Sequence, residues 1–352
     1  MKQEIIDKIN RLASQDEPFL FVINYQGDKA FIRQLSDINP EECLFDFEGR
    51  GNSSDEMKNN SEKIAEISWQ IAPPLYEDYE RSFDIVKNNI MAGNSYLTNL
   101  TCKVPVSCNL SLEDIFNQAK GKYKLLLRRK RNLTPFVCFS PETFVRIKNG
   151  RIYSYPMKGT LDASLPDAEK QLMEDRKEAA EHATIVDLIR NDLSRVAENV
   201  RVDKYRYIDI LHTNKGDILQ TSSEISGRLP EDYRNHLGEI LDAQLPAGSI
   251  TGAPKDKTMQ IIHEAEGYDR GFYTGIMGIY DQGELNSAVM IRFVEEEASP
   301  SKTEKGKNSE VSRELYFKAG GGITSKSDCR KEYEEVIQKI YLPIQENPSS
   351  EY

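Results

Sequence analysis

The feature that most constrains this 352-residue chain is the order of its patterned segments from Tyr76 onward. A helical pattern over 77–92 leads to a strand pattern at Tyr96–Val104 and a second helical pattern near 112–119. Four strand-like runs follow, at Tyr123–Arg128, Pro135–Phe139, Thr143–Lys148 and Arg151–Pro156. Helices and strands are mixed without strict alternation. That order favours an α+β arrangement with largely antiparallel sheets over a doubly wound parallel sheet.

Around this stretch the same reasoning gives further elements. Met1–Ile9 interleaves charged and apolar residues and reads as an amphipathic helix rather than the apolar core of a signal peptide. Phe19–Ile23 and Ala30–Ile32 read as two strands with a break at Gly27-Asp28, and the polar run Glu48–Asp55 as an exposed loop. A soft boundary near residue 75 separates a short N-terminal portion, 1–75, from the main body, 76–352. Between Pro166 and Ala197, Leu172, Ala179, Ile185, Val186, Leu188, Ile189, Leu193 and Val196 recur at helical spacing and predict one long helix with a buried face. Asn286–Val294 and Glu314–Gly320 read as two strands joined by a polar segment, 298–309, expected to be a mobile hairpin loop.

Composition excludes several functions. A net charge of −11 argues against a general nucleic-acid binder, which needs clustered cations. A small anionic substrate would need locally placed cations. Five cysteines, at 43, 102, 108, 138 and 329, include no Cys-x-x-Cys pair and indicate neither a disulfide framework nor a zinc knuckle, so a reducing cytoplasm fits. No run of about 18 apolar residues reads as a membrane span.

Three groups of residues carry chemistry. Lys158, in Tyr155-Pro156-Met157-Lys158-Gly159-Thr160, can be a nucleophile, although an isolated lysine is ordinarily a solvated charge. Glu178 and Glu181 share one helix face, and Glu332 and Glu335 repeat that spacing on a last helix that Asp328 can cap after a Gly320-Gly321-Gly322 turn. Such pairs usually mark a solvated face. Facing each other, however, they can cage a hard divalent ion, and magnesium suits them because it takes one or two carboxylates and keeps several waters. The company of Glu181 strengthens the case: His182, Asp187, Arg190, Asn191 and Asp192 follow on the same stretch. Gly248–Lys255 places two hydroxyls and several amides ahead of a helix at Lys257–Ala265, an arrangement that attracts anions but is not a nucleotide P-loop. Ala319–Ile323 is a second place where backbone can approach a ligand.

Taken together, these strings resemble the chorismate-utilising enzymes over roughly residues 85 to 341. The likeness rests on Phe139–Glu142, Pro156–Thr160, Glu178–Val196, Pro246–Lys255, Gly271–Gly275, Arg292 and Gly320–Lys339. It implies two largely antiparallel sheets packed as a sandwich with helices outside, the short N-terminal portion completing them. It implies a Mg2+ ion on Glu181 and Glu335, with Glu178 and Glu332 ordering its waters or the substrate. Tyr273, Arg292, Gly322 and Lys339 would bind chorismate's two carboxylates, with Gly159, Ser249 and Thr251 lining the pocket and Thr160 and Gly320 also among the substrate-binding residues. Lysine at 158 is similar to the aminodeoxychorismate synthase branch, whereas anthranilate synthases carry alanine there. In that branch Lys158 adds to C2 as the C4 hydroxyl leaves, Glu142 protonates that hydroxyl, and ammonia attacks C4. Lys158 must then be neutral part of the time, which a desolvated pocket favours.

Two positions depart from the family pattern. Leu97 stands where water-adding members hold a lysine, and Gln220 replaces a histidine, so an acid–base role at that site is in doubt. The N-terminal portion is short and lacks a Leu-Leu-Glu-Ser string, which argues against control by tryptophan. The chain has no Gly-x-Cys-x-Gly elbow, so ammonia is expected from a separate glutamine amidotransferase subunit. Anthranilate synthesis, or chorismate binding without catalysis, stays open as an alternative.

Overall fold

The computed structural model describes residues 1–53, 67–128, 133–213, 216–298 and 313–344. Within them two nine-stranded sheets form, and every strand pairing is antiparallel. The first sheet runs in the order Met157–Asp162, Gly216–Arg228, Arg151–Ser154, Thr143–Lys148, Glu284–Val289, Ile276–Asp281, Phe19–Ile23 and Ala30–Gln34, with Glu198–Thr213 also paired to Gly216–Arg228. The second runs Gly252–Ala253, Leu97–Cys108, Arg313–Ile323, Phe293–Ala298, Phe136–Ser140, Tyr123–Leu127, Cys43–Phe47 and Arg50–Gly51, with Trp69–Ile71 on Leu97–Cys108. Strands from the first 75 residues thus lie in both sheets.

Alternation along single strands explains the layering. In Phe19–Ile23 every residue is buried, because Leu20 and Val22 face the second sheet while Phe19, Phe21 and Ile23 face helices. Between the sheets pack Phe45, Tyr123, Phe136, Met277, Met290 and Phe293. Helices Gln3–Ser14, Arg176–Ser194 and Leu237–Gln244 cover the outer face of the first sheet through Ile9, Val186, Leu193 and Leu241. Helices Tyr76–Met91, Leu112–Gln118, Lys255–Glu266 and Cys329–Gln338 cover the second through Phe83, Ile115, Ile261 and Val336. The α+β sandwich with helices outside is therefore the observed fold. No helix among the described residues is long and apolar enough to cross a membrane.

Several expectations are corrected. The run Pro166–Ala197 forms two helices, Ala168–Glu174 and Arg176–Ser194, because Asp175 is extended and its carboxylate accepts from the amides of Lys177 (2.8 Å) and Glu178 (2.9 Å). Asn286–Val294 is not one strand: Glu284–Val289 belongs to the first sheet and Phe293–Ala298 to the second, and Arg292 turns between them at φ 54°. Gly320, Gly321 and Gly322 are not a turn but part of strand Arg313–Ile323, opposite Thr101, Leu100 and Asn99. Glycine is required there: a methyl group on Gly320 would come within 2.6 Å of the Leu100 carbonyl. The long hairpin Glu198–Thr213/Gly216–Arg228 was not anticipated as strands. The expected 298–309 loop lies, from residue 299, outside the described residues, as do residues 54 and 55 of the polar run.

Candidate active site

The chain crosses from one sheet to the other twice at one corner of the sandwich. Strand Phe136–Ser140 passes through Pro141-Glu142 into Thr143–Lys148, and Glu284–Val289 passes through Met290–Arg292 into Phe293–Ala298. The two crossings hold each other: the Phe139 amide donates to the Arg292 carbonyl (3.1 Å) and the Val289 amide to that of Glu142 (3.2 Å). Two residues 150 positions apart in sequence are fixed side by side by sheet pairing.

At this corner Ser249 Oγ donates to Glu142 Oε1 at 2.6 Å. Desolvation raises the Glu142 pKa, and the Ser249 bond and the charges of Arg292 and Lys339 only partly oppose it. Glu142 is thus inclined to keep a proton, as a general acid must. Tyr273 is buried beside Phe293, with ring centroids 5.9 Å apart, and feels the Arg292 charge. The Gly248–Ile250 turn that carries Ser249 is anchored by Arg270, which donates to the carbonyls of Ile250 (3.0 Å) and Asn99 (2.7 Å) and pairs with Glu266 (2.6 Å) out of solvent.

Lys158 lies on strand Met157–Asp162, whose register against Gly216–Arg228 shifts between Met157 and Thr160. Gly159 supplies φ 83° at this bulge, and a methyl group there would meet Glu178 Oε2 at 3.0 Å. The bulge brings Lys158 Nζ to 2.9 Å from Glu181 Oε2, with Lys177 Nζ 3.7 Å from Glu181 Oε1. Across from this pair, Asp328 caps the last helix, accepting from the Lys331 amide at 3.0 Å, and Glu332 and Glu335 stand over the backbone of Gly321. Lys339 Nζ bridges Glu335 Oε1 (2.7 Å) and the Gly320 carbonyl (3.1 Å).

Electrostatics tie the two helices together. Burial pushes the Lys158 pKa down, but the charge and hydrogen bond of Glu181, with Glu178 and Glu335 beyond, outweigh it and hold the amine above the ordinary lysine value. Desolvation does favour the neutral amine, as expected, but in the metal-free site the surrounding carboxylates prevail over it. Desolvation raises Glu178 and Glu332, each aggravated by its acidic neighbour, whereas Lys339 and Lys158 prevail over burial at Glu335 and lower it.

Not every expected residue converges. Thr160 is exposed, opposite Gln220, and Thr251 is completely buried. Gln220 Oε1 is buried and has no hydrogen-bond partner among the described residues. A methyl group on Gly322 would meet Leu97 Cδ1 at 3.1 Å, so leucine presents an apolar surface at that strand. Asp187 and Arg190 form an exposed pair, while His182 is buried, with Nε2 2.7 Å from Ser223 Oγ. Lys177 was overlooked, although its position four before Glu181 signals the contact.

The family model of chorismate binding enzymes matches residues 19–345. The chain belongs to the chorismate binding enzyme family. Among this family it is 46% identical over 343 residues to a PabA-like protein of Haemophilus influenzae, covering 97% of each chain. It is 30% identical over 275 residues to aminodeoxychorismate synthase component 1 of Salmonella typhimurium, covering 75% of this chain and 56% of that one. The menaquinone-specific isochorismate synthase of Escherichia coli superposes with a TM-score of 0.67 at 15% identity, over 96% of this chain and 80% of that structure. That likeness places the sandwich among chorismate-utilising folds.

Proposed function

We propose that this chorismate binding enzyme transfers ammonia to C4 of chorismate, giving 4-amino-4-deoxychorismate. The observation that carries this reading is Lys158 Nζ, 2.9 Å from Glu181 in a site that also presents Glu142 on Ser249. In the reaction the neutral form of Lys158 Nζ forms a bond to C2, both ring double bonds shift by one position, and the C4 hydroxyl leaves as water with the Glu142 proton. Ammonia then bonds to C4, both double bonds shift back, and the C2–N bond to Lys158 breaks, returning its electron pair to the amine. Arg292 and Lys339 supply the cations that hold a dianion in an acidic protein. Leu97 offers no base to activate water, which supports ammonia as the nucleophile.

The carboxylates suit a hard divalent ion. Among the described residues no three His, Cys, Asp or Glu side chains are gathered as a ready metal cluster, so the magnesium reading rests on the two facing carboxylate pairs and on that ion's taking one or two carboxylates with its own waters. Glu181 and Glu335 would hold it, with Glu178 and Glu332 ordering its waters. An ion held there would offset the negative charge that favours the protonated form of Lys158 and would supply positive charge for a ring carboxylate.

Ammonia is assigned to a separate glutamine amidotransferase. Burial raises the pKa of all five thiols, Cys102 to about 12, so none is poised as a glutaminase nucleophile. The test supplies chorismate, magnesium and ammonium salt to wild type and Lys158→Ala and follows products by mass spectrometry. Wild type is expected to form 4-amino-4-deoxychorismate, and the variant to lose it by on the order of 10⁴-fold or more. A fluorescent aromatic product with free pyruvate would instead assign anthranilate synthesis, and binding in calorimetry without turnover a non-catalytic role.

A further inference from the structure

Glu142 also lines a small cavity, of about 20 Å³, shared with Ser154, Asp192, Gln244 and Ser249. That is room for one water molecule, and its polar partners are present. Asp192 is 5% exposed, with Oδ2 3.0 Å from Lys255 Nζ. Lys255 also donates to the Gln244 carbonyl (2.8 Å), and Gln244 Nε2 donates to the Asp192 carbonyl (2.9 Å). A methyl group on Gly248 would come within 3.1 Å of Asp192 Oδ2, while the neighbouring Ser249 holds Glu142. Gly248-Ser249 and the cavity therefore lie between the two carboxyl groups.

We propose that the Asp192–Lys255 pair returns a proton to Glu142 through a water in this cavity after each departure of the C4 hydroxyl. The step rests on the role given to Glu142 above. The balance is simple: cavity water gives a proton to the Glu142 carboxylate and takes one from the Asp192 acid, and Lys255 restores Asp192. The Lys255 side chain is 12% exposed and regains its proton from solvent. Burial supports the exchange, since it raises the Asp192 pKa against the Lys255 and Arg195 charges and lowers that of Lys255 against the Asp192 and Asp256 charges. Facing Glu142 are Ser249, Arg292 and Lys339.

The experiment compares wild type, Asp192→Asn and Ser154→Val, the last chosen to fill the cavity without touching either carboxyl group. Steady-state turnover is read with ammonium in H2O and D2O across pH, with chorismate affinity by calorimetry. The relay predicts that both variants lose at least about tenfold in kcat, keep wild-type affinity, and gain a solvent deuterium effect that wild type lacks. Wild-type kcat and isotope effect in a folded Ser154→Val protein would overturn it, even if Asp192→Asn does not fold. If wild type makes a different product from chorismate, the amination reading falls but the same rates still decide the relay, which concerns only the departing hydroxyl. Absence of any turnover by wild type would overturn both.

Discussion

Around Lys158 the acids stand on helix surfaces among ammonium groups, whereas at the sheet crossing Glu142 sits on a serine, with Arg292 and Lys339 as the nearby charges. Glu335 is 52% exposed and its pKa is lowered by Lys339, while desolvation raises that of Glu142. One side-chain type thus serves two purposes, set by what its surroundings do to charge. The neighbouring ammonium groups favour the charged form of Glu335, which suits a cation, whereas burial favours the protonated form of the corner glutamate, which suits a leaving hydroxyl.

The contrast is broken most directly at the corner. Glu142→Gln is expected to lower kcat by roughly 10²–10⁴-fold with little change in chorismate affinity. In wild type the acid form is the working one, so kcat should fall as pH rises through the raised Glu142 pKa, and that limb should be missing from the variant. A variant retaining both its rate and the limb would move the general acid elsewhere. Arg292→Ala tests the same corner with a smaller effect: losing a charge-assisted contact is worth about 1.5–3 kcal/mol, or roughly 10- to 150-fold in kcat/KM. Because the Arg292 charge opposes the rise at Glu142, the limb should also move to higher pH, and movement to lower pH would contradict the arrangement.

The two regions differ also in how they show in the sequence. The carboxylate pairs are visible as i,i+3 spacings on helical stretches, and the cap at Asp328 is visible in the residue itself. The corner is not, because Glu142 and Arg292 meet through strand pairing across 150 residues, and only resemblance to a family linked them. Arg292 was even placed inside a strand, since an apolar run from Ala288 to Val294 gives no local sign that the chain changes sheets within it. The glycines at 320–322 suggested a turn for the same reason. Their need is close approach to the Leu97–Cys108 strand, a fact of tertiary packing that single-chain patterning does not carry. The hairpin at 198–228 was passed over because bulges interrupt its alternation at Arg201, Lys204 and Tyr207.

On the helix side, Glu181→Gln should lower the Lys158 pKa in metal-free protein by removing its hydrogen-bonded carboxylate. An amine-reactive reagent at mildly alkaline pH, with modification sites read by mass spectrometry, should then label Lys158 several-fold faster than in wild type, while exposed lysines label equally. Unchanged labelling would mean that Glu178 and Glu335 alone fix the charge.

The smallest expected effect separates stability from chemistry. Asp175 caps helix Arg176–Ser194 through the amides of Lys177 and Glu178, the residues that begin the carboxylate face. Asp175→Ala leaves these two amides to water and should cost about 1 kcal/mol of stability, seen as a fall of a few degrees in Tm. Glu181 lies farther along the same helix, held against Lys158 and Lys177, so a frayed first turn should leave that contact in place. Turnover is then expected to change by only a few-fold. A loss as large as that of Glu142→Gln would show instead that the first turn, with Glu178, sets the reacting geometry, and that the helix side is as exacting as the corner.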